Sequence, residues 1–155
     1  MKLGRIAAPK EESFFRAKEL GLEFLEFCED VNRDYEEFLK NVPVLKRVSR
    51  ETGVAVGSIG RWGAEKYDSK CGMIEQELTV CKRLIDAAKE LESPVFVTGV
   101  NEVPGLSYYQ NVTNAIQFFE ELIAYAKPRG VQVASYNCRW ANFVHSDPAW
   151  TLVHG

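Results

Sequence analysis

No stretch of this chain approaches the roughly 18–20 consecutive apolar residues that a membrane-crossing helix needs, so a membrane is not an expected partner. The amino end, Met1 to Pro9, lacks the apolar core and small-residue cleavage site of a signal peptide. The four cysteines, Cys28, Cys71, Cys81 and Cys138, form no C-x-x-C pair and lie far apart. Without a secretion signal they read as reduced thiols, and the expected compartment is the cytoplasm. A basic excess is missing as well. Lys and Arg number 19 against 22 Asp and Glu, for a net charge of −3, and no stripe of like charge offers itself to a phosphate backbone. Nucleic acid is therefore excluded as an expected partner. There is no serine-hydrolase elbow, zinc spacing, P-loop or dinucleotide fingerprint, and the first turn, Ala7-Ala8-Pro9-Lys10, lacks phosphate-cradling glycines. Asn111-Val112-Thr113 matches a glycosylation acceptor but carries no weight in a cytoplasmic helix.

What is present is a globular composition: 155 residues, 46% hydrophobic and 26% charged. Short β-rich runs alternate with longer helical ones. Leu3 to Ala8 reads as a strand, followed by a helix from Glu11 to Leu20 with acidic residues in its first turn and Gly21 past its end. Leu22 to Cys28 is the second strand. A helix follows over Asp34 to Thr52, stopped by Gly53 and expected to break in two at Pro43. Val54 to Ile59 is the third strand, and Ser69 to Leu91 reads as one long helix. Its expected buried stripe is Met73, Leu78, Cys81, Leu84, Ile85 and Ala88, with Glu75, Glu77, Lys82, Arg83 and Lys89 toward water. The fourth strand is Val95 to Val100. The fourth helix, about Ser107 to Lys127, shows an apolar face of Ile116, Phe119, Leu122, Ile123 and Ala126. Val131 to Tyr136 is the fifth strand.

Strictly alternating strands and helices favour a parallel sheet with right-handed crossovers. Two architectures fit. One is a partial (β/α)8 barrel with about five parallel strands and four helices, lying side by side in chain order. The other is a five-stranded doubly wound sheet, a non-catalytic binding or regulatory module, in which the first strand lies between the second and third. The tail favours the first. Ser146-Asp147-Pro148 reads as the opening of a helix, with seven residues left after Pro148. The expectation is a single domain over residues 1–155, truncated in its fifth helix, with an open edge through which two copies could pair.

Parallel α/β folds place their chemistry at the carboxyl ends of the strands. Glu26 lies between apolar neighbours on the second strand, sharing a face with Leu22, Phe24 and Cys28; it needs a partner or a substrate. After the third strand, Arg61 and Trp62 are candidates for an anionic or sugar-like ligand, Trp62 equally for packing its loop. Asn101 and Glu102 fall at the rim after the fourth strand, where Asn101 suits a turn as well as a ligand. The densest polar and aromatic cluster runs from Tyr136 and Asn137 through Arg139, Trp140 and Asn142 to His145. His145 is a candidate acid, base or metal ligand, or a surface histidine. The substrate-binding candidates are thus Glu26, Trp62, Asn101, Asn137 and His145; no catalytic residue is singled out.

The glycine and strand Gly21-Leu22-Glu23-Phe24-Leu25-Glu26-Phe27, with its internal glutamate, resembles the second strand of the xylose isomerase-like barrels, the sugar phosphate isomerases/epimerases. The helix ending near Leu91, the strand Val95-Phe96-Val97-Thr98-Gly99 and the passage Ala126 to Val133 match in order and spacing. The resemblance spans the chain and about the first five strands of that barrel. It implies isomerisation or epimerisation of a small-molecule sugar, with a divalent metal (Mn, Mg, Co or Zn) polarising a carbonyl and carboxylates moving a proton. It also implies a substrate-facing position for Glu26. The family's first metal-binding glutamate falls at the end of strand five, where this chain has Tyr136 followed by Asn137. A phenol protonated at neutral pH does not replace a carboxylate on a hard cation, so no metal ligand is identifiable in this chain. The fragment alone is expected to be inactive.

Overall fold

A computed structural model describes residues 1–136. The strands are β1 (Gly4–Ala7), β2 (Phe24–Asp30), β3 (Ala55–Trp62), β4 (Tyr67–Asp68), β5 (Gly72–Met73), β6 (Val95–Thr98) and β7 (Gln132–Ser135). The helices are α1 (Glu11–Glu19), α2 (Tyr35–Thr52), α3 (Glu75–Glu90) and α4 (Tyr108–Ala126). The predicted alternation is present, and its ends are set by local chemistry. Asp34 caps α2 by accepting a hydrogen bond from the Glu36 amide, and Gly53, at φ 75°, ends it in the left-handed conformation. Ser107 and Gln110 cap α4 reciprocally.

Strand order decides the architecture. β1, β2, β3, β6 and β7 form one sheet in that order, every neighbour parallel. The second strand therefore lies between the first and third, which contradicts the doubly wound alternative. Five strands side by side in chain order, with a helix in each of the four connections between them, make the arc of a (β/α) barrel.

One face of the arc packs on the helices. On β2 the alternation puts Leu25, Phe27 and Glu29 against them, while Phe24, Glu26, Cys28 and Asp30 take the other, concave face. Phe27 is fully buried between Phe14 of α1 and Phe38 of α2, with edge-to-face contacts at 5.8 and 6.2 Å. The helices are also laced together at the surface. Glu11 pairs with Arg47, Glu36 with Arg83, Arg50 with Glu92, Lys82 with Glu121 and Asp86 with Arg129.

Three expectations need correction. Pro43 does not break α2, which runs unbroken through it. Pro43 itself is exposed, so the missing hydrogen bond faces water, while burial of Phe38, Val42, Leu45 and Val48 holds both halves in line against a cost of about 3 kcal/mol. The helix expected from Ser69 starts at Glu75 instead. The residues before it form the β4–β5 hairpin, turned by Asp68, whose carboxylate accepts the Lys70 and Cys71 amides. On α4 the buried face is Asn111, Ala115, Phe118, Leu122 and Ala126, whereas Ile116 and Ile123 are about half exposed. Among the described residues β7 pairs with β6 alone and β1 with β2 alone.

Candidate functional site

Parallel register places paired residues on the same face, so the concave wall can be read in layers. Ile6, Glu26, Ser58 and Val95 form one layer; Cys28, Gly60, Val97 and Ala134 form the next toward the carboxyl ends. Asp30 and Trp62 follow, with Tyr136 one step past β7. The bulge between Leu25 and Glu26 sets aside one residue of β3, Gly57, and restores this alignment above it.

Trp62 closes the upper layer. Its indole lies back over Gly60, where an added Cβ would sit 2.6 Å from Nε1, and meets the Tyr136 ring edge-on at 4.3 Å. Any larger residue at Gly60 displaces the indole. Cys28 lies below it; burial pushes its thiol up, and a hydrogen bond with Trp62 opposes that shift. Glu26 is half-buried on the same wall and makes no hydrogen bond or ion pair with another described residue. Two of the five candidate residues, Glu26 and Trp62, thus share one concave surface, with Tyr136 beside Trp62.

Asn101 does different work. Its Oδ1 accepts the Lys66 and Tyr67 amides at 2.6 and 3.1 Å, and its Nδ2 donates to the Tyr67 carbonyl at 2.9 Å. The amide thereby ties the β4–β5 hairpin to the loop after β6. Asn137 and His145 lie outside the described residues.

Behind the wall, between β3 and α3, sits a buried ionic cluster that the sequence pattern does not announce. Glu77, expected to face water, is 7% exposed. Arg61 grips it with Nε at 2.7 Å and Nη2 at 3.1 Å, and Lys66, 1% exposed, reaches it with Nζ at 2.9 Å. Burial pushes the Glu77 carboxyl up, but hydrogen bonds and charge from Arg61 and Lys66 outweigh it and hold the group below its ordinary value. Arg61 Nη1 also donates to the carbonyls of Glu29 and Asp30, so the cluster binds the end of β2 to α3. These cations are committed to Glu77 and are not available to an anionic ligand. Cys81 lies beside them, its thiol pushed up to about 12 by burial; it is no nucleophile.

Glu29 is the exception in this layer. Its carboxyl is pushed up to about 7, chiefly by burial, with the attraction of Arg33 insufficient to offset it. The sign of the consequence follows. The folded state keeps a proton that the unfolded state gives up above about 4.5, so stability falls as pH rises from 4.5 to 7 and levels off above. Replacing Glu29 by glutamine removes this loss. Between pH 4.5 and 7.5 the stability difference in urea is expected to shift in favour of Glu29→Gln by on the order of 1–3 kcal/mol. A pH-independent difference would refute the assignment.

The described residues do not fit a divalent metal: no three His, Cys, Asp or Glu side chains among them come together as a ligand set. A shallow groove of about 590 Å³ lined by Ile123, Lys127, Gly130, Val131, Gln132 and Val133 opens at the amino end of β7. It lies at the opposite end of the strand from Tyr136.

With this geometry in hand, solved structures supply the comparison. A 3-keto-D-glucoside 4-epimerase from E. coli superimposes with a TM-score of 0.69 at 19% identity, over 87% of this chain and 55% of its own. A D-tagatose 3-epimerase-like protein gives 0.72 at 17%, over 95% and 61%. The chain has the fold of a xylose isomerase-like barrel. A D-allulose 3-epimerase from Methylomonas sp. in complex with D-allulose agrees, at 0.72 and 13% identity, over 99% of this chain and 57% of its own. The chain therefore spans little more than half the length of these barrels. No protein-family model and no curated protein sequence matches it. The in-order arc and its four helices correspond to part of a xylose isomerase-like barrel, and the concave wall of Glu26, Cys28 and Trp62 lies on the face that such a barrel turns inward.

Proposed function

We propose that this chain is the front part of a sugar isomerase/epimerase-like barrel and that its concave wall is the surface against which the sugar lies. The observation that carries the reading is the Trp62–Tyr136 aromatic pair standing above Glu26 on the inner face, at the carboxyl ends of strands arranged in chain order. An indole face suits the C–H side of a sugar ring, and a carboxylate suits its hydroxyls as a hydrogen-bond acceptor. In this reading Trp62 orients the ring and Glu26 accepts a hydrogen bond from a sugar hydroxyl. Asn101 is a positioning residue, acting through the hairpin it holds. A divalent metal would have to come from residues beyond Tyr136, and no step is derived through it. The structural neighbours named for epimerases of 3-keto-D-glucoside and D-allulose support the substrate class.

The test is titration calorimetry of the 155-residue chain with a panel of ketoses and aldoses, with and without added divalent metal. Trp62→Ala is expected to weaken sugar binding roughly tenfold, the loss of about 1.4 kcal/mol of stacking. If no sugar binds at tens of millimolar, or if Trp62→Ala binds as well as the unaltered chain, the proposal fails.

A further inference from the structure

We propose that Glu29 and Arg33 form a pH-dependent latch on the loop joining β2 to α2, drawn closed when Glu29 is ionised and released when it is protonated. Glu29 ends the buried face of β2 at 1% exposure, and its Oε1 has no hydrogen-bond partner among the described residues. An ionised carboxylate in that position is under pressure to recruit a cation. Arg61 on β3 cannot turn to it, because its three nitrogens are held by Glu77 and by the carbonyls of Glu29 and Asp30. Arg33, on the loop and 45% exposed at its side chain, stands with Nη1 at 4.0 Å from the free oxygen, the edge of ion-pair range. The other charged or titratable groups around Glu29 are Asp30 on its own strand, Glu37 on α2 and the Cys28 thiol. The two carboxylates oppose ionisation of Glu29, and of the two guanidiniums that favour it Arg33 has the freedom to move closer.

The loop itself is a tight turn that such a pull would reinforce. The Asn32 amide donates to Asp30 Oδ1 at 2.7 Å, the Arg33 amide to the Asp30 carbonyl at 3.1 Å, and the Val31 amide to the Trp62 carbonyl at 3.1 Å. Val31 also packs near Gly63. The turn thus borders the Trp62 end of the concave wall, and tightening it stiffens that rim. Burial pushes the Glu29 carboxyl to about 7, which places the transition near neutrality. The latch stands whether or not the wall binds a sugar, because its readout needs no ligand.

Amide hydrogen exchange of the full chain by NMR at pH 6 and 8, expressed as protection factors, reads the turn directly. Protection at Val31, Asn32 and Arg33 is expected to rise about threefold to fivefold from pH 6 to 8, the size suited to a half-exposed ion pair. Glu29→Gln and Arg33→Gln are both expected to abolish the rise, and Arg33→Gln to move the carbon-13 titration midpoint of the Glu29 carboxyl upward. No rise in the unaltered chain, a rise that persists in Arg33→Gln, or an unmoved Glu29 midpoint would each overturn the latch.

Discussion

Glu77→Gln is expected to lower the stability of the chain by about 3–5 kcal/mol, the cost of leaving buried cations without their counter-charge. The substitution changes almost no volume, so the loss isolates electrostatics from packing. Arg61 and Lys66 are 6% and 1% exposed, and both direct their nitrogens at the one carboxylate. A neutral amide returns far less Coulomb energy than the carboxylate and presents its own donors to the same cations. Since small domains are stable by roughly 5–15 kcal/mol, this single change consumes a large share of the total. Urea unfolding at pH 7 measures it. A loss below about 1 kcal/mol would mean that water or another acid compensates the cations, against the closed cluster described above. Glu77→Asp should restore part of the loss, because it keeps the charge and shortens the reach.

Phe27→Ala is expected to cost a similar amount, about 3–5 kcal/mol, by a different route. Phe27 is fully buried, and its ring is shared between Phe14 of α1 and Phe38 of α2. Truncation removes the apolar transfer energy and leaves a cavity where two helices meet β2. The same β2 carries Glu26 and Cys28 on its other face, so loosening its seat against the helices also blurs the concave wall. Thermal unfolding reads the stability, and the near-ultraviolet circular dichroism of Trp62 and Tyr136 reads the wall. A loss near 1 kcal/mol would show that the helices collapse onto the vacated space.

The local chemistry explains how much could be read in advance. The main strands and helices were legible because their signals lie within ten residues: period-two and period-3.6 apolar patterns, acidic residues in the first turn of α1, and Gly21 and Gly53 past the ends of α1 and α2. The in-order barrel arc was legible as one of two options, and Glu26 and Trp62 as candidates, because alternation along a strand tells which residues share a face. The misread elements are those where local signals were balanced. On α4 two apolar stripes compete, one through Ala115, Phe118 and Leu122, the other through Ile116, Phe119 and Ile123. The packing against α3 and β7 chose the first. Glu77 was read by its charge, although its spacing to Cys81, Leu84 and Ala88 already placed it on the buried stripe of α3. What that spacing could not show was Arg61, sixteen residues away, waiting to pair with it. Asn101 was read as suited to a turn as well as to a ligand, and the hairpin that its amide holds could not be foreseen because its partners lie thirty-four and thirty-five residues earlier in the chain.

Residue order alone was enough to specify an α/β composition, the alternation of its main elements and which residues of β2 share a face, since all of these follow from short-range patterns. Folding in three dimensions settled the strand order, the unbroken α2, the buried Arg61–Glu77–Lys66 cluster and the meeting of Trp62 with Tyr136. Each of those depends on groups from different elements, eleven residues or more apart in the ionic cluster and further elsewhere, and their contact energies exist only once the chain has brought them together.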